Sequence, residues 1–550
     1  MKTARTLSAL CLSVLSMQLW AQAPSTAISA PNDATTVKAA SLDDLKQLRD
    51  RIARQEEEIE KLQQSVEEQR SMLDRALKQS GPQPATAATG GVSAQVMPVV
   101  DVARPHVFLQ KAETESPSPL AIKIGNTSFA PLGFVDATFY GRSSNVGSGI
   151  GTNFGGIPYN NSASDHLAEA NFSTQNSRIG FRVDSSVLGS KVLGYFEADF
   201  LGNQPPNVFV TSNSDTFRMR NVFVDVRKNG FEILAGQDWS FATPNRKGLS
   251  PLPSDIFNTQ NMDTNYQAGL VWSRQTQFRF VAHPSDNLAL GVSLENPQQY
   301  LEGSGGVNAS AVTLPSAYSS IAGSQANNGS NSFSAANLHP DIIFKGAYDG
   351  RAGEKIMHVE AGGMVRSFKI VGRTSPFTTH TATAGAGEVN ANLELVKGFR
   401  LLANTFFGSG NGRYVFGLAP DFMVRADGSI SPIHTYSTVD GFEWTVHKDT
   451  LLYGYYGAVY IKRDVGIDTT GKTPALIGYG FTNSGINDNR AIQEGTFGVV
   501  QTFWKTPSYG ALSLITQYSY LSRNPWSITT GVPKDTHTNM YWVDLRYTLP

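Results

Sequence analysis

The spacing of apolar positions changes along the chain. Between Leu45 and Ala76 it follows a three–four rhythm. Leu45, Ile52, Ile59, Val66 and Leu73 fall on one heptad position, and Leu48, Gln55, Leu62, Gln69 and Ala76 on the other. Charged residues such as Arg49, Glu56, Glu57, Lys61, Glu67 and Arg70 fill the flanks. An apolar repeat of about 3.5 residues with charged flanks makes a coiled coil, which requires a partner helix. Residues 42–78 are therefore expected to form one, with a single solvated helix as the plainer alternative. Gln55 and Gln69 would set register there at some cost in stability.

From about residue 120 the period drops to two. In Arg178-Ile179-Gly180-Phe181-Arg182-Val183-Asp184 apolar residues alternate with polar ones or glycine, and Tyr541 to Leu549 alternates in the same way. Each such strand has one apolar and one polar face. The connections alternate too. Long polar segments lie near 142–176, 202–215, 239–266, 297–339, 370–387, 408–436, 463–490 and 522–538. Short turns lie near Ser185-Ser186, Lys228-Asn229-Gly230, Pro284-Ser285-Asp286-Asn287, Asp349-Gly350, Lys397-Gly398, His447-Lys448-Asp449 and Thr506-Pro507-Ser508. Eight long and seven short connections join sixteen strands. Alternating long and short connections are the pattern of an outer-membrane barrel, with long loops outside the cell and tight turns in the periplasm. The fold expected is all-β: a 16-stranded antiparallel transmembrane β-barrel over 121–550, closing near 131–549, preceded by a periplasmic coiled-coil helix. Aromatic residues near strand ends, among them Phe139, Tyr140, Phe406, Phe407, Tyr455, Tyr456, Tyr541 and Trp542, suggest two interfacial girdles.

Composition agrees with this picture. Hydrophobic residues at 40% and charged residues at 17% are both low for a soluble chain of 550 residues, as expected where the interior is polar and the apolar surface faces outward. A formal net charge of -1 offers nothing to nucleic acid. Lys2, Arg5, the apolar run Leu7 to Leu19 and Ala21-Gln22-Ala23 read as a secretory signal over 1–23. The one cysteine, Cys11, falls inside it, so the mature chain is expected to have neither disulfides nor thiolate metal sites. Residues 79–120, rich in Pro, Ala, Thr and Gly, read as a linker.

No hydrolase, zinc, P-loop or dinucleotide-binding motif appears. Neither enzyme activity nor a cofactor nor a metal is expected. His358 and Glu360 share a strand face, which fits a lumen lining better than a metal site. The polar strand faces supply the candidate residues: Arg178 with Arg182, Glu197 with Asp199, and Arg218 with Arg220. Rings of arginine in a water-filled lumen favour anions, and acids favour cations. The long segment 239–266 is the expected constriction, carrying Asp238, Trp239, Arg246 and Lys247, with Pro244, Pro251 and Pro253 limiting its freedom.

At Gln175-Asn176-Ser177-Arg178-Ile179-Gly180-Phe181, Gly194 to Phe200, Phe217 to Phe223, Ala235-Gly236-Gln237-Asp238-Trp239-Ser240 and Arg274 to Arg279 the chain resembles the DcaP-like outer-membrane porins. The resemblance implies a homotrimer of sixteen-stranded barrels that passes small anionic solutes, dicarboxylates among them. It also implies lumen-facing roles for Arg178, Arg218, Arg220 and Arg279. Two departures stand out: Asp238 replaces a small polar residue before Trp-Ser, and the chain ends in Leu549-Pro550 instead of an aromatic residue. The leading expectation is a porin in the bacterial outer membrane, among lipid and lipopolysaccharide, passing small hydrophilic solutes by passive diffusion. A sugar- or phosphate-selective porin, an outer-membrane phospholipase or protease, and a structural tether are the alternatives.

Overall fold

On the segment Arg218–Lys228, Val222, Val224 and Val226 are exposed while Asn221, Phe223 and Asp225 are buried. The pattern inverts that of a soluble strand, and it recurs around a closed sheet. The computed structural model describes residues 118–202, 214–252, 257–261, 265–301, 312–322, 324–326, 335–373 and 375–550. The expected signal segment, the coiled coil over 42–78 and the linker up to residue 117 lie outside the described residues.

Sixteen strands form the wall. They are β1 (Thr127–Arg142), β2 (Arg178–Val187), β3 (Ser190–Asp199), β4 (Arg218–Lys228), β5 (Phe231–Trp239) and β6 (Arg274–Ser285). Next come β7 (Leu288–Glu295), β8 (Asp341–Ala352), β9 (Lys355–Val371), β10 (Thr379–Val396) and β11 (Phe399–Ser409). The last are β12 (His434–His447), β13 (Thr450–Ile461), β14 (Gly485–Thr506), β15 (Gly510–Ser527) and β16 (Thr536–Thr548). Each pairs antiparallel with the next, and β16 returns to β1 through Phe134↔Thr548 to Arg142↔Met540. Closure leaves no edge, as a sheet in lipid requires. Two short segments, Ile122–Ile124 and Glu169–Ser173, add to the sheet beside β1.

The count of sixteen and the closure agree with the sequence pattern; some boundaries move. Ser185-Ser186 and Asp349-Gly350 lie inside β2 and β8, and the chain reverses at Leu188-Gly189 and Gly353-Glu354. The segment 370–387 contributes only 372–378 as a connection, because the small residues Thr379 to Ala386 continue the ladder against β9. Between β4 and β5, Asn229 and Gly230 adopt φ 51° and 79°, the two-residue turn that matches strand twist.

Adjacent aromatic residues split between the faces, since the side-chain period is two. Phe407, Tyr456 and Tyr541 are exposed, whereas their neighbours Phe406, Tyr455 and Trp542 are buried inside. Only one member of each pair belongs to an outer girdle, which corrects the sequence expectation.

Candidate functional site

The inward faces of β2 to β6 hold a ladder of charge. Arg178 Nη1 lies 3.8 Å from Glu197 Oε1. Arg220 donates from Nε to Glu197 Oε1 at 2.5 Å and from Nη1 to Asp199 Oδ2 at 2.8 Å. Arg218 Nη2 donates to the same Asp199 oxygen at 2.6 Å. A register shift makes this possible: Glu197 pairs with Asn221 but Ala198 with Met219, so Arg220 is the extra residue. A bulge of this kind re-aims a side chain, and it turns Arg220 as well as Asn221 inward. Arg279 on β6 donates to Asp238 Oδ2 at 3.0 Å and to the Trp239 carbonyl at 2.8 Å. Asp238 also accepts from Asn221 Nδ2 at 2.7 Å, so the departure from the family pattern has a structural partner. Arg182 pairs along its own strand with Asp184 at 2.6 Å.

The ladder is fixed more than it is exposed. The side chains of Arg178, Arg220 and Arg279 are at most 4% accessible, whereas Arg182 and Arg218 reach 27% and 31%. The predicted residues therefore come together on one wall, but as ion pairs.

The 240–273 loop enters the barrel. Trp239, at the end of β5, packs against Trp272 with ring centroids 3.8 Å apart. The Phe241 N–H donates to Glu295 at 2.6 Å, and Lys345 of β8 donates to the Thr243 carbonyl at 3.0 Å. The Asn245 N–H donates to Glu360, and the Gly248 N–H to Asp349 Oδ2 at 2.8 Å. Arg246 forms a two-pronged bond to Glu443 on β12 at 2.8 and 2.5 Å. Leu252 then packs against Leu193, Tyr195, Phe223 and Leu234, on β3 to β5. Beyond, Asn258 Nδ2 donates to Glu443 at 3.1 Å, the Gln260 N–H to Gln517 at 2.8 Å and the Ala268 N–H to Glu494 at 2.9 Å. The described parts of the loop thus meet β8, β9 and β12 first, then β3–β5 at Leu252, and β12–β15 from Asn258 onward. Gly457 allows the last contact: a Cβ there would overlap the Ala268 carbonyl oxygen.

The 143–168 and 410–433 segments also turn inward. Arg523 donates to the Ile157 carbonyl at 2.9 Å, and Arg366 on β9 binds both Asp341 and Asp421. The result is a polar interior enclosed by an apolar outer face and narrowed by loops. A comparison of folds agrees. The outer membrane channel DcaP of Acinetobacter baumannii superposes with a TM-score of 0.54 at 14% identity, over 78% of this chain and 98% of that one. The chain has the fold of an outer-membrane channel. Weaker likenesses include an anion-selective porin from Comamonas acidovorans, with a TM-score of 0.42 at 12% identity over 77% of this chain and 99% of that one. Another is OmpT of Vibrio cholerae, at 0.40 and 12%, over 78% and 99%. No family model and no curated protein matches the chain by sequence.

His358 and Glu360, expected on a lumen-facing strand face, do point inward, but Lys345 and Glu388 beside them escaped sequence reasoning. His358 donates or accepts at 2.9 Å to both Asp349 and Glu360, and Lys345 reaches Glu360 at 2.6 Å and Glu388 at 3.4 Å. Glu443, Glu494, Arg366 and Arg546 are likewise buried and inward. Their strand parity was a usable signal, since each shares a face with small or polar neighbours. Among the described residues no group of side chains could hold a metal ion.

Proposed function

We propose that the chain is an outer-membrane porin, a passive channel for small hydrophilic solutes. The carrying observation is a closed barrel with a charged interior that its own 240–273 loop enters. No step of this function requires a catalytic residue or cofactor. The working unit is a homotrimer surrounded by lipid and lipopolysaccharide, with the 42–78 coiled coil in the periplasm joining the subunits. That side follows from parity: the first long connection places the start of β1 at the turn end.

Small organic anions, dicarboxylates among them, are the preferred solutes in this reading. On the β2–β6 wall, the guanidinium groups of Arg178, Arg218, Arg220 and Arg279 gather beside Glu197, Asp199 and Asp238, while Arg227 lies between Asp225 and Glu232, and Arg218 is the partly accessible member of the first group. The test is conductance of purified trimers in a planar bilayer, with reversal potential under a salt gradient. Salt-dependent anion selectivity supports the reading, since screening acts over about 10 Å at 0.1 M. Folded, inserted trimers without conductance would overturn it and favour a tether.

A further inference from the structure

The wall arginines carry acid partners, which raises the question of which cation in the lumen meets water without one. Lys247 stands out. It is exposed, although its neighbours on either side are anchored to the barrel interior. Among the described residues no carboxylate lies within ion-pair distance of it, whereas Arg246 is committed to Glu443.

Its position is set by three clamps. The Asn245 N–H is held by Glu360 on β9, Arg246 by Glu443 on β12, and the Gly248 N–H by Asp349 on β8. Gly248 adopts φ 52°, a left-handed conformation that suits glycine and turns the loop back. The three acids are themselves engaged. Glu360 also meets Lys345 and His358, Asp349 meets His358, and Glu443 accepts from Asn258 and Tyr455. Glu360 and Glu443 thus have cationic partners in Lys345 and Arg246, while Asp349 is held by the Gly248 N–H and His358.

The clamp lies deep. Asp349 is three residues from the turn end of β8 at Ala352, Glu443 four from the end of β12 at His447, and Glu360 five from the start of β9 at Lys355. At ~3.3 Å per residue, the tip sits roughly 10–16 Å along the strands from the turn-side rim. Just beyond it the loop reaches Leu252, which packs against β3–β5.

Resting on the porin reading, we infer that Lys247, presented at the turning point of the 240–273 loop by the Glu360–Glu443–Asp349 clamp, is the group that recognises anionic oxygens in transit. The ligand class is a small carboxylate or phosphate. The wall arginines then organise the loop's surroundings, and Lys247 supplies the free charge. A unit charge about 5 Å from a passing ion in water changes its local concentration about fourfold, and far more where the lumen is narrow and its walls exclude water.

The test uses full-length trimers in planar bilayers under gradients of potassium chloride, potassium phosphate and a potassium dicarboxylate. Lys247→Gln should lower the anion-to-cation permeability ratio at least about fourfold in dilute salt, and Lys247→Glu should lower it further, with heat-modifiable trimers retained. A shift with phosphate alone or dicarboxylate alone identifies which oxyanion the site takes. In a Cys11→Ser background, Lys247→Cys should react with a charged methanethiosulfonate reagent added on the turn side. The cationic reagent should restore anion preference and the anionic one abolish it. Unchanged reversal potentials in Lys247→Glu, or a cysteine that no reagent reaches, would overturn the inference while conductance itself kept the porin reading intact. Wild-type trimers that do not conduct would instead remove the porin reading.

Discussion

Arg546 on the last strand donates through both Nε and Nη2 to Asp136 on the first, at 2.9 and 2.7 Å, across 410 residues of sequence. Both side chains are at most 4% accessible. The pair sits across the seam where β16 meets β1, and Arg546 also holds Asp544 at 2.9 Å and donates to Gln260 of the inserted loop at 2.8 Å.

Removing one member of a buried pair leaves an uncompensated charge, at a cost of about 3–5 kcal/mol. Arg546→Leu should therefore destabilise the barrel more than Asp136→Asn, because it strands two acids, Asp136 and Asp544, instead of none. Urea unfolding in lipid vesicles, followed by the heat-modifiable gel shift, measures the order.

Arg218 and Arg220 should behave differently despite lying two residues apart. Arg220→Ala strips Glu197 and Asp199 of a partner at about 1% accessibility and should lower stability by several kcal/mol. Arg218→Ala removes a guanidinium that is 31% accessible, so it should shift the reversal potential toward cations with little loss of stability. Equal stability of the two variants would contradict the ladder.

Val224, 50% exposed on β4, belongs to the outer apolar face. Val224→Arg should cost up to about 2–4 kcal/mol on refolding into a bilayer, the value for a midplane basic residue on the lipid face. The neighbouring inward substitution Phe223→Leu should cost less. Little difference between the two in lipid vesicles would show that β4 does not face hydrocarbon.

Outside the barrel wall, Asp468 ties two long connections together by accepting from the Ser316 N–H and hydroxyl, both at 2.8 Å. That backbone bond, followed by the one from the Thr470 hydroxyl, holds its carboxyl below the usual aspartate range. A depressed value means the tie is fully present above the unfolded value near ~3.9 and is lost only as pH falls through the lower folded value. Protease protection around Ser316 should therefore stay constant from neutral pH down to about 4 and fail in stronger acid. Asp468→Ala should expose the site at neutral pH.

Much of this architecture was legible in the sequence because it depends on local periodicity. Alternation along β4 or β16 determines which residues share a face, and the alternation of long and short connections determines how many strands there are and how they run. Both follow from geometry within a few residues, so sixteen strands and the closing partnership of β1 with β16 could be read directly. That Arg178 shares a face with Arg182, and Arg218 with Arg220, could be read in the same way, whereas the inward role of Arg279 came only from the family resemblance.

What those arginines meet was decided by the tertiary structure. The inward turn of Arg220 depends on a register shift at Glu197 and Ala198 that no alternation announces. The Arg246–Glu443 bond spans 197 residues and exists only because closure bends β12 to face the inserted loop. Which member of Phe406-Phe407 or Tyr541-Trp542 faces outward was fixed by strand register, since a slip of one residue exchanges the faces. The sequence by itself determined that this chain has a polar inside and an apolar outside. Closure of the barrel decided which charges neutralise one another and left Lys247 free, because Coulomb interactions and hydrogen bonds act through distances that only the curved, closed sheet sets.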